Sequence, residues 1–240
     1  KKNSYYAMVA KLDPSGKKIG QPILLDTTAE VNYASTSKIY TIVNSEYKQQ
    51  ILLFKIGTKN DRAHVVTTCL FNKELQLQKR SKIVVPMPER NDFLTEFAVD
   101  NEGDLVCVKG SGTAQNDNIN KVSLLTKSAN ADAFVSKDLN IAGLYLDDIR
   151  LKVDNINKHY LVTSFYSKAR RGNIEGLYYA LWDKNLGKEL STLKTTFSEE
   201  FRADAKSDGN PKAAFNDFFL KNWTHLPAFC LQNRLKGSLY

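Results

Sequence analysis

The sequence predicts an all-β, propeller-like fold, with four-stranded antiparallel blades of about 57 residues each. Three observations lead there. Apolar residues alternate with a period of two along most of the chain, hairpin-shaped segments return at a near-constant step, and the two ends read as complementary halves of one unit. The expected organisation is a single domain over 1–240, in blade pieces 1–28, 29–88, 89–141, 142–200 and 201–240, with N- and C-terminal strands sharing a blade.

The strand pattern is plainest in "SKIYTIVN" (37–44), "DLVCVKG" (104–110), "KHYLVTSFY" (158–166) and "GLYYALW" (176–182), which alternate or run apolar with β-branched and aromatic residues and are bounded by turn residues. Helical spacing is scarce. "SEEFRADAK" (198–206) is the best helical candidate, with Ser198 placed to cap it, two glutamates in its first turn and the breaker "SDGNP" after it.

Four segments share the form strand, polar turn, strand: 5–25, 64–85, 121–139 and 176–197. Aligned on Leu12, Phe71, Leu125 and Trp182, they return at steps of 59, 54 and 57 residues, the third copy being the weakest. Between them lie hairpins of a second kind, at 30–44, 93–110 and 144–166. In these, Asp100-Asn101-Glu102-Gly103 takes the place of Ser35-Thr36-Ser37 in the copy before and Asp154-Asn155-Ile156-Asn157 in the copy after. Asp and Asn side chains cap such turns and glycine supplies positive φ, so this acidic knot is expected to be a hairpin tip. A calcium loop of the EF-hand kind puts glycine sixth between helices; here it is fourth, between strands. No metal site is expected.

One four-stranded unit is too small to cover both its faces, so neighbours must stack. The chain starts on an outer-type hairpin (5–25) and ends on "AFNDFFLKNWTHLPAFCLQN" (214–233), which reads as an inner-type hairpin. Joined, they would complete a blade and remove two open edges.

Three pieces, "FAVDNEGDLVCVKG", "LFNKELQLQKRSKIVVP" and "LWDKNLGKEL", resemble the repeat of a broad group of uncharacterised bacterial propeller-like proteins. There a V-D-x-x-G-x-hydrophobic hairpin alternates with F-D-x-x-L outer strands. The resemblance covers roughly residues 5–222 and implies an extracytoplasmic protein, periplasmic or at the cell surface. Such proteins usually carry more blades than the four assembled here, so the expectation is a compact four-bladed ring or part of a larger one.

Composition narrows the function classes without choosing one. A hydrophobic fraction of 42% and a charged fraction of 25% are those of a globular chain. No apolar run approaches the roughly 20 residues of a membrane helix. The given residues begin Lys1-Lys2-Asn3, with no initiator Met and no leader, so a processed chain or a fragment is expected. Cys69, Cys107 and Cys230 form no C-x-x-C pair, and the first two read as small buried hydrophobes. The net charge of +8 is spread along the chain, with its tightest clusters at Lys79-Arg80-Ser81-Lys82 and at Lys168, Arg170 and Arg171. Neither cluster has the aromatic interleaving of a single-strand groove, and nucleic acid is not an expected partner.

Sites of chemistry are sparse. His64, His159 and His225 are isolated, two of them at strand starts. No phosphate-binding or nucleophile-elbow motif is present, and "GSGT" (110–113) reads as a strand leaving into a loop. No cofactor is expected. In "YLDDIRLK", alternate residues share a face, placing Asp148, Arg150 and Lys152 together on an inner strand at the mouth of a central channel. Tyr5, Tyr6, Tyr178, Tyr179, Trp182, Phe218, Phe219 and Trp223 are expected mostly to pack between blades, with any exposed ones offering a stacking surface. The leading functional expectation is a non-catalytic binding or scaffold protein for a protein or glycan, monomeric or dimeric. Its alternatives are a carbohydrate-active hydrolase or lyase, and a polyanion binder using Lys168, Arg170 and Arg171.

Overall fold

The computed structural model describes residues 4–29, 39–60, 62–112, 117–141 and 143–199. They form an all-β protein whose sheets are antiparallel, none of them closed into a ring. The strands are β1 (Ser4–Leu12), β2 (Lys18–Ala29), β3 (Thr41–Asn44), β4 (Gln50–Asn60), β5 (Ala63–Asn72), β6 (Leu77–Pro86), β7 (Phe93–Val99), β8 (Leu105–Gly112), β9 (Ile119–Lys127), β10 (Val135–Asp138), β11 (Tyr145–Asp154), β12 (His159–Ser167), β13 (Gly176–Asp183) and β14 (Lys188–Thr196). Residues 200–240, which hold the expected inner-type hairpin at 214–233 and all but the first two residues of the expected helix at 198–206, lie outside the described residues.

The chain divides into two compact units. The first comprises Lys1–Pro88, Val99–Asp104 and Lys127–Phe134. Here β1 and β2 pair as a two-stranded ribbon, and β3-β4-β5-β6 form a four-stranded sheet. Leu25 of the ribbon packs with Leu53, Cys69 and Phe71 of the sheet, and Ala7, Val9, Tyr40 and Ile51 close around them. The second unit comprises Glu89–Ala98, Leu105–Thr126 and Val135–Tyr240. In its sheet, β7, β8, β9 and β10 are successive neighbours, as are β11, β12, β13 and β14, and one pair, Leu146 with Ile119, joins the two sets. Its core includes Val106, Val108, Leu124, Leu146, Tyr160, Val162, Tyr178 and Trp182.

Burial explains the differing sequence patterns. β8 and β12 read as continuous apolar runs, and both faces of each are covered. β6 alternates buried with unburied positions over Ser81–Pro86, and β14 is largely exposed. Each strict alternation thus marks a strand with one covered face.

The hairpins expected over 5–25, 64–85, 93–110, 121–139, 144–166 and 176–197 are β1–β2, β5–β6, β7–β8, β9–β10, β11–β12 and β13–β14. Of the hairpin expected over 30–44, residues 30–38, with Ser35-Thr36-Ser37, lie outside the described residues. Residues 39–44 lead into and form β3, which turns at Ser45–Gln49 and pairs with β4. In the four-strand order β3-β4-β5-β6, the tip in the place of Asp100-Asn101-Glu102-Gly103 is Ser45-Glu46-Tyr47-Lys48.

One device recurs at these tips. The side-chain oxygens of Asp13, Asn72, Asp100, Asp154 and Asp183 accept backbone N–H groups two to four residues on. Ser45 Oγ likewise accepts the N–H of Gln50, five residues on, at 3.2 Å. The third residue after the cap has positive φ in four tips, but its identity varies: Gly16, Lys48, Leu75 and Gly103. At Gly103 more than φ is at stake, because a Cβ would sit 3.0 Å from Leu70 Cδ2. Lys48 is exposed and strained at φ 56°. Lys48→Gly is expected to raise stability by about 0.5–1 kcal/mol, the relief of left-handed strain exceeding glycine's extra unfolded-state entropy. A higher urea midpoint at unchanged slope checks it.

Gly110–Gly112, expected to begin a loop, instead completes β8. The missing side chain of Gly110 makes room for the Phe93 ring, whose Cζ would lie 2.6 Å from a Cβ there.

Candidate functional site

The expected trio on β11 is brought together in part. Between Asp147 and Arg150 the strand carries one residue more than its partner: Asp147 pairs with Phe165 and Arg150 with Thr163. This bulge places Asp148 at φ 58°, a conformation that Asp tolerates better than most side chains. It also re-aims the strand, so that Leu146 and Ile149, three apart, are both buried. Asp148 and Arg150 meet through the bulge rather than by simple alternation, Arg150 Nη2 lying 3.0 Å from Asp148 Oδ1. Lys152 lies further along the strand and is exposed.

Glu96, on β7, completes the arrangement. Its Oε1 lies 3.4 Å from Arg150 Nη1, and its Oε2 accepts the Leu151 N–H at 3.0 Å. Glu96 too has positive φ, at 53°. Two carboxylates from strained backbone positions thus hold one guanidinium, whose Nε is buried without a hydrogen-bond partner. Non-glycine residues at positive φ persist only where surrounding structure over-determines them, and they gather at sites of function. Sequence reasoning finds Asp148 and Arg150 and misses Glu96, 54 residues away.

The basic cluster is paired with acids of the chain itself. Arg170 and Arg171 both pair with Asp117, whose side chain is fully buried, and Arg171 N–H donates to Asn118 Oδ1 at 2.7 Å. Lys168 pairs with Glu175 at 2.6 Å. The three residues remain at the surface, with two acids in place against their three charges.

At the acidic knot, one carboxylate oxygen each from Asp100, Glu102 and Asp104 lies within 4.8 Å of the others. Asp100 Oδ1 accepts the N–H groups of Glu102 and Asp104, both at 2.9 Å, and Asp104 Oδ1 accepts that of Ala129 at 2.7 Å. These bonds are what hold the hairpin tip in shape.

His64 and His159 stand at the starts of β5 and β12, as expected. Tyr178 and Trp182 are in the core, while Tyr5 and Tyr6 are exposed; Phe218, Phe219, Trp223, His225 and Cys230 lie outside the described residues. Cys69 and Cys107 are buried free thiols, and burial pushes both pKa values up.

A second polar cluster escaped sequence reasoning, which singled out Arg80 only as part of a basic run. Asp26, on β2, has a side chain only 4% exposed. Lys55 Nζ donates to its Oδ2 at 2.6 Å, Tyr40 OH to the same oxygen at 2.9 Å, and Arg80 Nη1 to Oδ1 at 2.5 Å. Burial alone would raise this carboxyl; the bonds from Lys55, Arg80 and Tyr40 outweigh it and hold the pKa at about 2. Beside it lies a groove of about 570 Å³.

No family model and no curated protein matches the chain. Among solved structures it is similar to a mutant of Synechocystis apocarotenoid oxygenase, with 10% identity and a TM-score of 0.41 over 77% of this chain and 44% of that one. Kuenenia stuttgartiensis hydrazine synthase is similar at 12% identity and a TM-score of 0.39, over 65% and 42%. The chain spans less than half the length of these structures. Likeness of this degree assigns neither fold nor activity. Among the described residues no helix is long and apolar enough to cross a membrane.

Proposed function

We propose that this chain is a propeller-like, non-catalytic binding or scaffold protein that engages a protein or glycan where β7 and β11 meet. The observation that carries the reading is the Glu96–Arg150–Asp148 cluster. Its two acids sit at positive φ on the first strands of two successive four-strand sets, and both are directed onto one arginine. In the propeller reading these first strands line the channel, and the ribbon β1–β2 shares a blade with strands from 201–240. An open ribbon strand bearing Tyr6, Met8 and Leu12, each more than half exposed, supports such a completion. An extracytoplasmic setting is part of the same proposal and rests on the resemblance of the repeat.

Binding is favoured over catalysis because neither carboxylate stands free as an acid or base. Both are tied to Arg150, and Glu96 also holds a backbone N–H. Polyanion binding is disfavoured by the pairing of Arg170 and Arg171 with Asp117.

The test screens the wild-type chain and Arg150→Gln against immobilised glycans, peptides and heparin, with substrate turnover followed in parallel. One glycan or peptide class retained by the wild type and lost by the variant, at matched melting temperature, is the expected result. Turnover that Asp148→Asn abolishes would overturn the reading in favour of an enzyme. Capture by heparin alone, falling steeply with salt, would overturn it in favour of a polyanion binder.

A further inference from the structure

We infer that the groove beside Asp26 is a second binding site, built for a small amphiphilic anion: an apolar body carrying one carboxylate or sulfonate group, held by Arg80. This site lies wholly within the first unit and is independent of the Glu96–Arg150–Asp148 cluster.

The argument starts from charge. One carboxylate, Asp26, faces two cations, Lys55 and Arg80, which leaves the cluster one positive charge in excess. Lys55 has no donor to spare, since its three N–H groups point to Asp26 Oδ2, Thr28 Oγ1 and the Thr27 carbonyl, at 2.6, 2.7 and 3.4 Å. Arg80 is different. One of its nitrogens, Nη1, is fixed on Asp26, its side chain is 48% exposed, and its Nε and Nη2 donors have no acceptor among the described residues. A guanidinium anchored at one end and open at the other is preorganised for an anion, and its planar fork suits a carboxylate or sulfonate.

The surroundings supply the apolar half. Ile23, Leu24, Leu25, Phe71, Leu75 and Leu77 line the groove with Arg80. Leu24 and Leu77 are 52% and 50% exposed, and Ile23 is 39% exposed. Apolar side chains left in water beside one unanswered cation complement a ligand of the opposite make-up: apolar along its length, anionic at one end. The volume is in the range of small-molecule sites, about 300–1,000 Å³.

Dodecanoate and dodecanol are the probes, titrated into the full chain by calorimetry, with displacement of 1-anilinonaphthalene-8-sulfonate as a second readout. Dodecanoate is expected to bind one to one and about tenfold more tightly than dodecanol, the difference being one charge-assisted contact. In Arg80→Gln that preference should vanish. Because Arg80 also supports Asp26, a second variant leaves the cluster intact: Leu24→Glu, which adds a carboxylate to the groove wall, should weaken dodecanoate about tenfold or more at an unchanged melting temperature. Equal affinity for acid and alcohol in the wild type would overturn the proposal. So would unsaturable uptake, or dodecanoate binding that survives both substitutions. If residues 200–240 or a second chain fill the groove instead, dodecanoate will not bind to the wild type, which equally overturns it.

Discussion

Gly176→Ala is expected to lower stability by about 3 kcal/mol or more, or to prevent folding. Gly176 opens β13 and lies between Tyr166 of β12 and Thr196 of β14. A Cβ there would fall inside the contact distance of the Thr195 carbonyl oxygen and 2.8 Å from Tyr166 Cε1. The obstacle is backbone on one side and a largely buried tyrosine ring on the other, so no side chain can swing away. To admit even a methyl group, β14 must separate from β13, at the cost of the pairing that runs from Gly176–Thr196 to Asp183–Lys188. Gly187→Ala is the matched control, at φ 60° with nothing within 4 Å; it should lose only about 1 kcal/mol, the strain of a left-handed alanine. For a chain of this length the two losses correspond to about 6–12 °C and about 2–4 °C in melting temperature. Equal small losses would mean that β13 and β14 do not approach as closely as described.

The second large effect is expected at Asp26. Asp26→Asn should cost about 2–3 kcal/mol, somewhat less than the full loss of a buried ion-pair partner, because Arg80 can turn towards water while Lys55, 20% exposed, is left facing a neutral amide. The pH dependence follows from the sign of the shift. The folded-state pKa, about 2, lies below the ordinary value of 3.8, so the carboxylate's contribution is fully present above pH 3.8 and is lost as the pH falls towards 2. Wild type and Asp26→Asn should therefore converge in stability over that interval in denaturant titrations. A constant gap between them down to pH 2 would show that Asp26 acts through packing rather than charge.

Neither of these two positions was legible in the sequence. Nothing local marks Gly176: the sequence places it at the head of a strand, and its need for glycine comes from β14 crossing close by. Nor does anything local link Asp26 to Arg80, 54 residues away, or to Lys55, 29 away. At Arg150 the sequence went further. In "YLDDIRLKV" the apolar positions 146, 149, 151 and 153 step by three and then by two, and that slip is the trace of the bulge. Read as unbroken alternation, it still brought Asp148 and Arg150 together. Glu96 carried no such trace.

The turns make the same division. Asp100-Asn101-Glu102-Gly103 and Asp154-Asn155-Ile156-Asn157 were readable because their caps and their glycine or asparagine are turn formers in any context. The tip at Ser45 was not, because Lys48 occupies the left-handed position that glycine holds at Gly103. The sequence by itself determined the all-β class, six of the hairpins and the acidic knot's turn, since alternation and turn chemistry act over two to five neighbouring residues. Only the tertiary structure decided which distant charges meet: Glu96 with Arg150, Asp117 with Arg170 and Arg171, Asp26 with Lys55 and Arg80. Long-range ion pairs depend on how strands far apart in the chain pair and stack, and no short stretch of residues encodes that.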